Sequence, residues 1–177
     1  MPVQIDPSQQ QNEETTKMKY ITPVILERWQ DVDKVLMEYN FTEGRISVDE
    51  YNMTHRGKPK RADYLLLFRD NLPLAIVEAK GADHSADEGY SQAVEYARIL
   101  DVPFAYSTNG DDLIEKDMIS GINKNMKMKD FPTIDELWER YQKESNLTRE
   151  QVNIYSFPYY VTATGKKPRY YQRIAIN

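Results

Sequence analysis

The sequence predicts an α/β fold, and three observations favour it. Two apolar runs, residues 64–68 and 74–77, flank the turn-prone pair Asp70 and Asn71, which predicts a β-hairpin. A helical segment and then a short apolar strand follow the hairpin, and this strand–helix–strand order is typical of a crossover connection. The 177 residues of the chain fit one domain with a sizeable core.

Helical periodicity precedes the hairpin. Apolar residues recur at spacings of three and four over residues 12–39, which predicts a helix that starts or bends at Pro23. The members of this apolar stripe are Ile21, Val24, Ile25, Trp29, Val32, Val35 and Leu36. Residues 45–51 predict a short strand, and residues 54–61 predict a basic loop broken by glycine and proline.

Further elements follow the hairpin. Residues 90–100 predict a helix whose buried stripe consists of Val94, Ala97 and Leu100, with Ala93 at its margin. Residues 103–108 predict a strand that ends at a strong turn signal, Asn-Gly. Residues 133–141 predict another helix, in which Thr133 caps the N-terminus and Glu136 completes a capping box. Residues 150–165 show no clear period.

Composition excludes several classes of protein. The net charge of −5 argues against a surface coated in positive charge, although a local basic patch is compatible with it. The chain has no cysteine, so it has neither a disulfide framework nor a thiolate metal site, and its two histidines disfavour a multi-histidine zinc site. No apolar run approaches a membrane span and no signal peptide opens the chain, so we expect a cytoplasmic protein without membrane contact.

The hairpin itself brings together chemically active side chains. With a two-residue loop, Asp63 lies directly opposite Glu78, with Cβ atoms about 5 Å apart. Facing carboxylates repel each other unless a cation lies between them, and a divalent metal would take oxygen ligands from both. Lys80 lies two residues after Glu78 and projects from the same face. The alternative interpretation is a surface acid and a Glu–Lys pair at the end of a strand.

Two further groups of residues are candidates for supporting roles. Gln92 and Tyr96 are four residues apart and share one helix face, which either supports the site or is simply an exposed face. Glu13 begins the first helix, where it either approaches the metal or favours the helix dipole, and Glu14 is equally placed by spacing.

A basic segment lies just before Asp63. Its members are His55, Arg56, Lys58, Lys60 and Arg61. Such side chains are suited to contacts with backbone phosphates. The alternative is a solvated loop.

These motifs resemble a known family. Asp63…Glu78-Ala79-Lys80, followed by Gln92…Tyr96, resembles the PD-(D/E)XK nuclease motif and its QxxxY helix. The combination is similar to the N-terminal nuclease domain of the type I restriction enzyme R subunit (HsdR). Further pieces that agree are Glu13-x-x-Thr16-Lys17, Tyr20-Ile21-x-Pro23-x-Ile25, Ala62-Asp63-Tyr64, and the stretch from Val102-Pro103-Phe104-Ala105 to Thr108-Asn109-Gly110. The similarity covers residues 12–112, and it departs from the pattern where Ala62 replaces the proline of the motif.

The end of the chain extends the resemblance. Residues 169–176 resemble the adenine-recognition motif that opens the superfamily 2 helicase motor, which implies an adenine contact for Gln172 once the motor is present. No GxxxxGK[ST] P-loop occurs in the sequence. We therefore expect a fragment with three parts: a flexible lead-in at residues 1–11, a nuclease domain at residues 12–165, and the start of an absent motor at residues 166–177.

The resemblance implies a fold and an activity. The fold would be a restriction-endonuclease-like three-layer core with a mixed sheet of four or five strands between helices. The activity would be Mg²⁺-dependent cleavage of DNA, with Asp63 and Glu78 as metal ligands. Lys80 would position the water or stabilise the transition state, and Gln92 and Tyr96 would support the site or contact DNA.

The resemblance also implies a larger assembly, a type I site-specific deoxyribonuclease. ATP would be used only by the full-length subunit, and methyltransferase and specificity subunits would be partners. The isolated domain would then be weak or inactive. Two alternatives stay open: a catalytically silent DNA-binding or docking module of a helicase-like protein, and a stand-alone repair or recombination nuclease, which the motor-like tail disfavours.

Overall fold

A mixed β-sheet lies at the centre of the computed structural model. The residues that the structure describes are 12–42, 46–48, 54–56, 58–69 and 72–156, of which 46–48, 54–56 and 154–156 are described by their backbone alone. The predicted lead-in, the motor-like tail with Gln172 and the hairpin turn lie outside these residues. None of the helices in the described ranges has the length and apolar character needed to cross a bilayer.

The sheet has six strands in the order β1-β4-β5-β6-β7-β8. These strands are β1 (Val35–Phe41), β4 (Lys60–Arg69), β5 (Leu72–Ala79), β6 (Phe104–Thr108), β7 (Asp112–Asp117) and β8 (Asn123–Lys127). Helix α3 (Asp87–Leu100) makes the parallel crossover from β5 to β6, and the other neighbouring strands pair antiparallel. The α/β class and the crossover are confirmed, whereas the expected four or five strands were too few.

Two separate apolar cores cover the two faces of the sheet. Alternate residues of β4 divide between them, with Tyr64 and Leu66 on one side and Leu65 and Leu67 on the other. The first core packs against the N-terminal and C-terminal helices through Ile21, Ile25, Trp29, Leu137 and Trp138. The second packs against α3 through Ala93, Tyr96, Ala97 and Leu100. The result is the expected arrangement of three layers.

The N-terminal helix changes its pitch along its length. It comprises α1 (Glu13–Thr16), a π-helical stretch (Lys17–Ile21) and α2 (Thr22–Trp29). Pro23 follows the π-helical stretch in the first turn of α2, and a proline inside a continuous helix removes one backbone hydrogen bond and disturbs the preceding turn.

The predicted continuation of this helix to residue 39 is wrong. Gln30 ends the helix in a left-handed conformation with φ +55° and donates its N–H to the carbonyl of Leu26. Asp31 then caps a short 3₁₀ turn. Val35 and Leu36 belong to β1, where they pair with Leu66 and Leu65 of β4, and the β-branched valine favours the pleated surface of a strand.

The central hairpin forms as predicted. Tyr64 pairs with Val77 and Leu66 with Ala75, and β-bulges interrupt the ladder only nearer the turn. The predicted strand within residues 45–51 is present as β2 (Ile46–Val48). It pairs with β3 (Thr54–Arg56), and β4 begins at Lys60. The loop predicted over residues 54–61 is therefore wrong at both ends, where the backbone is extended.

The C-terminal helices complete one outer layer. Helix α4 (Ile134–Glu144) has the predicted capping box between Thr133 and Glu136, and it continues three residues beyond the predicted end. Helix α5 (Arg149–Ser156) begins just before the segment in which the sequence shows no period.

An ion-pair network fastens α4 to the sheet. The guanidinium of Arg140 donates to both oxygens of Glu115, at 3.0 and 2.8 Å, and to Asp117 at 3.2 Å. It also lies 4.6 Å from the ring centroid of Phe104. Glu115 accepts a further hydrogen bond from the hydroxyl of Tyr106 at 2.6 Å. Both carboxylates are buried, so their charges depend on Arg140.

Arg140→Met will destabilise the chain by about 2–3 kcal/mol, because it leaves two buried carboxylates without their cation. Urea denaturation followed by circular dichroism measures the change. Lys143→Met, at an exposed position of the same helix, is the matched control and will change the free energy of unfolding by less than about 0.5 kcal/mol. Equal effects of the two substitutions would contradict the proposed dependence.

Candidate active site at the end of the central hairpin

Asp63 is held at both oxygens of its carboxylate. One oxygen, Oδ2, accepts the backbone N–H of Ala79 at 2.7 Å. The other, Oδ1, accepts the ammonium of Lys17 at 2.6 Å. Only 12% of the Asp63 side chain is exposed, so strand β5 and the N-terminal helix together fix its orientation.

Glu78 is a buried carboxylate next to Asp63. The two residues come directly after the pair Tyr64–Val77 in the hairpin ladder, as the predicted register requires. Glu78 is 1% exposed, and its Oε1 has no hydrogen-bond partner among the described residues. Burial and the negative charge of Asp63 raise the pKa of Glu78 to about 8. A cation at this position would therefore stabilise the ionised pair.

Lys80 lies on the same face as Glu78, beneath helix α3. Its backbone N–H donates to the carbonyl of Thr108 at 2.8 Å, which extends the contact between β5 and β6. A Cβ on Gly89 would lie 3.1 Å from Lys80 Cε and 3.5 Å from Glu78 Cβ, and it would clash with Ser107 Oγ. The absent side chain of Gly89 thus allows the helix to approach the two functional side chains closely. The structure brings Asp63, Glu78 and Lys80 together.

The sequence interpretation missed a buried lysine in this site. Lys17 is 3% exposed. Its Nζ lies near four carboxylates: Asp63 at 2.6 Å, Glu38 at 3.0 Å, Glu13 at 3.1 Å and Glu14 at 3.5 Å. Burial lowers the pKa of Lys17, but the hydrogen bonds to Asp63 and Glu38 outweigh that effect and raise it, so the ammonium stays charged.

Glu38 is the second residue that was missed. It lies in β1 between Met37, which pairs with Tyr64, and Tyr39, which pairs with Ala62, and so stands beside Asp63. Its φ of +51° is unusual for a residue with a side chain. The signal in the sequence was the apolar and polar alternation of residues 37–41, which the preceding helical stripe obscured.

The candidate supporting residues have different surroundings. Glu13 contacts Lys17 and is half-exposed, and Glu14 lies farther from the ammonium. Tyr96 is buried and meets the ring of Phe41 edge-on at 5.0 Å, and Gln92 donates to its hydroxyl at 3.2 Å. Tyr96 is therefore part of the second core, and the half-buried Gln92 is hydrogen-bonded to it, so this is not an exposed polar face.

In the basic segment before Asp63, two of the three side chains that the structure describes form ion pairs with acids. Lys60 forms a hydrogen bond with Glu95 of α3 and lies 5.8 Å from the ring centroid of Tyr96. The Nε of Arg61 lies 2.8 Å from Glu38 Oε2. Lys58 is exposed. The side chains of His55 and Arg56 lie outside the described part of the chain.

An open cleft of about 580 Å³ adjoins the site on the side of Lys80. The lining residues are Asn12, Glu13, Lys80, Gly81, Asp83, His84 and Glu88. His84 and Glu88 form a hydrogen bond of 2.9 Å across one part of it. A ligand can therefore reach the Lys80 side of the site from solvent.

Two carboxylates could hold a hard cation here. Asp63 has one hydrogen bond on each oxygen and so retains free lone pairs, and Glu78 Oε1 is unpartnered. No group of three or more acidic or histidine side chains within the described ranges is arranged as a metal site. A pair suffices for Mg²⁺, which commonly takes one or two carboxylates and completes its shell with water and phosphate oxygens.

Comparison with known proteins gives the family. Residues 28–132 match the family described as the type I restriction enzyme R protein N terminus (HSDR_N). The chain belongs to this family. The resemblance to the N-terminal domain of the R subunit is confirmed, and the matched range contains Asp63, Glu78 and Lys80 but not Lys17.

Two relatives agree with this assignment. The chain is 35% identical over 164 residues to the endonuclease subunit of the type I restriction enzyme EcoAI from Escherichia coli. This match covers 90% of this chain and 20% of that subunit. It is 38% identical, with a TM-score of 0.76, to a fragment assigned to the HsdR subunit of a type I restriction enzyme from Vibrio vulnificus YJ016. That match covers 94% of this chain and 31% of the other. The chain thus spans about a fifth of its curated relative.

Glu78→Gln will change how stability depends on pH in metal-free buffer. The pKa of Glu78 is about 8 in the folded chain against 4.5 for an ordinary glutamate. The parent therefore has its full stability below pH 4.5 and loses stability as pH rises through 8. Glutamine does not titrate, so from pH 5 to pH 8 the variant will gain about 3 kcal/mol relative to the parent, or about 6–10 °C in Tm.

Thermal denaturation at several pH values measures this difference. Glu139→Gln, at an exposed position of α4, is the control and will follow the parent at every pH. Parallel curves of Tm against pH for the Glu78 variant and the parent would contradict the assigned environment of Glu78.

Proposed function

We propose that the chain is the Mg²⁺-dependent endonuclease domain of a type I restriction enzyme R subunit and cleaves DNA phosphodiesters. One observation carries the proposal. A chain of the R protein N-terminal family buries Glu78 beside Asp63 and leaves Glu78 Oε1 without a partner. An uncompensated buried carboxylate is costly for stability, and its retention is explained by a cation that binds there during function.

Asp63 and Glu78 would hold the metal ion. Bound Mg²⁺ would lower the pKa of a water molecule and offset charge on the phosphate. The protein contributes the orientation of its ligands. Lys17 and the N–H of Ala79 fix the carboxylate of Asp63, and the strands on either side of β5 fix the backbone of Glu78.

Lys80 would act on the reacting phosphate. Its ammonium would orient the attacking water or stabilise the negative charge that develops on the phosphate oxygens. The stem of Lys80 passes close to Gly89 of helix α3, which limits its conformations. Gln92 and Tyr96 of this helix would support the site, since Tyr96 anchors the helix in the second core and Gln92 is hydrogen-bonded to it. The exposed Lys58, together with Arg56 and Arg61, would contact the DNA backbone.

The complete subunit would supply what this chain lacks. A motor domain that hydrolyses ATP would deliver DNA to the nuclease, and the specificity and methyltransferase subunits would select the sequence. The EcoAI relative is itself an endonuclease subunit about five times longer than the matched region, since the match covers 20% of it. The chain alone would accordingly cleave DNA weakly or not at all.

A second candidate function is a catalytically silent docking module. The observation that favours it is the engagement of Lys60 by Glu95 and of Arg61 by Glu38, which reduces the positive charge available to DNA. The net charge of −5 acts in the same direction. The two functions differ in one property, because only the nuclease requires a divalent metal at Asp63 and Glu78.

Titration of the chain with Mn²⁺, followed by isothermal calorimetry, distinguishes the two functions. The nuclease proposal predicts a site that Asp63→Ala and Glu78→Ala each weaken by at least about tenfold, since each removes a ligand. Asp83→Ala removes an exposed acid from the adjoining cleft and will leave the affinity unchanged. Binding that is equal in all four proteins, or undetectable in the parent, would favour the docking module.

In a complete subunit that carries this chain, Asp63→Ala, Glu78→Ala and Lys80→Ala will each lower DNA cleavage by at least about 100-fold, because each removes a group that acts on the scissile phosphate. ATP hydrolysis will stay within about twofold of the parent, since the motor is separate. Plasmid linearisation and phosphate release measure the two activities in the assembled enzyme.

The exposed Lys143 provides the control, and Lys143→Ala will retain both activities. Retained cleavage in any of the three variants removes that residue from the catalytic set.

A further inference from the structure

We infer that Lys17 is a positioning residue that serves as the permanent cation of the active site and fixes Asp63 for metal binding. This inference rests on the proposed function. The contacts of the Lys17 side chain support this role.

The burial of Lys17 indicates a specific role. Lysine is almost never fully buried unless its charge is paired, and Lys17 is 3% exposed. The shortest contact of Lys17 Nζ is to Asp63 Oδ1, at 2.6 Å. The two acids of its own helix, which are closer in sequence, lie farther from the ammonium: Glu13 at 3.1 Å and Glu14 at 3.5 Å. A lysine that only stabilised the helix would be satisfied by those local partners.

The geometry at Asp63 shows what this contact achieves. Lys17 occupies one carboxylate oxygen and the N–H of Ala79 occupies the other, at 2.6 and 2.7 Å. Rotation of the carboxylate would break at least one of these hydrogen bonds. Asp63 therefore keeps one orientation before any metal arrives, and its remaining lone pairs are directed consistently.

Glu38 supports the same function at a conformational cost. Its backbone adopts φ +51°, and its Oε1 accepts a hydrogen bond from Lys17 at 3.0 Å. Such strain in a residue with a side chain persists where the surrounding structure requires it, commonly at functional sites. Here it places the carboxylate of Glu38 against the ammonium, so Lys17 is held between β1 and β4.

Lys17 forms ion pairs with four carboxylates near the site, but Glu78 is not one of them. Glu78 Oε1 has no hydrogen-bond partner among the described residues. Lys17 thus compensates Asp63 while leaving the Glu78 side of the pair for the metal. Without Lys17, the four carboxylates would attract a divalent cation to the wrong place.

The test uses Lys17→Met, which keeps the apolar stem and removes the charge. For the 177-residue chain, the rise in Tm caused by a fixed excess of Mn²⁺ will at least double relative to the parent, because metal replaces the missing ammonium. In the complete subunit, cleavage at saturating Mg²⁺ will fall by at least about tenfold, since Asp63 is no longer held in one orientation.

Two variants control for loss of charge and for general effects. Lys17→Arg keeps a cation and will recover cleavage to within about threefold of the parent, with the parent's metal-induced rise in Tm. Lys19→Met removes an exposed lysine from the same π-helical stretch and will behave as the parent. Lys17→Gln, which keeps an N–H donor without charge, replaces the methionine variant if that variant does not fold, and the same two changes are expected.

The outcomes separate this inference from the proposed function. An unchanged metal-induced rise in Tm in the uncharged variants, with or without loss of cleavage, overturns the positioning role and leaves Lys17 as a structural ion pair. Asp63→Ala is measured in parallel. If it abolishes cleavage while Lys17→Met does not, only the positioning role fails. If Asp63→Ala cleaves normally, the proposed function fails first.

Discussion

The pairing of β4 with β5 sets Tyr64 against Val77, and both the cores and the site depend on this register. Side chains alternate between the faces of a sheet, so a slip of one residue would exchange the faces that β4 presents to its two helical layers. Tyr64 and Leu66 would then leave the first core. The same slip would separate Asp63 from Glu78, so the pattern that buries the hairpin also assembles the carboxylate pair.

Electrostatics divides the site into two unequal halves. Lys17 balances the charge of Asp63, and the N–H of Ala79 fixes the orientation of its carboxylate. Glu78 Oε1, in contrast, has no hydrogen-bond partner among the described residues. The protein thereby prepares one ligand and leaves the other under electrostatic stress. Under the proposed function, binding of the metal relieves that stress, which gives the ion a driving force beyond simple attraction to two acids.

Features that depend on neighbouring residues could be predicted from the sequence. The hairpin, the Asn109–Gly110 turn, where Gly110 adopts φ +93°, and the capping box at Thr133 each follow from a few adjacent residues. The juxtaposition of Asp63 and Glu78 could be predicted as well, because a hairpin converts sequence distance directly into cross-strand pairing.

Features that depend on distant partners could not be predicted in this way. Lys17 and Asp63 are 46 positions apart, and no local pattern indicates that a lysine on a helix meets an acid on a strand. Strand β7 was missed because Glu115 and Asp117 interrupt its apolar pattern. Their burial depends on ion pairs with Arg140, which lies more than twenty residues later in the sequence. Strand β1 was missed because Val35 and Leu36 continue the spacing of the preceding helix by coincidence.

The π-helical stretch Lys17–Ile21 has a consequence for the phase of the first helix. Each residue of an α-helix advances about 100° around the axis, so the wider turn offsets the stripe before it from the stripe after it. Lys17 begins this stretch and Ile21 ends it, so the wider turn lies between the lysine that contacts Asp63 and the apolar residues Ile21 and Ile25 of the first core. One face of the N-terminal helix therefore delivers a charged group to the carboxylates of the sheet at its start and apolar side chains to the first core along the rest of its length, so the site and the core are anchored by the same element.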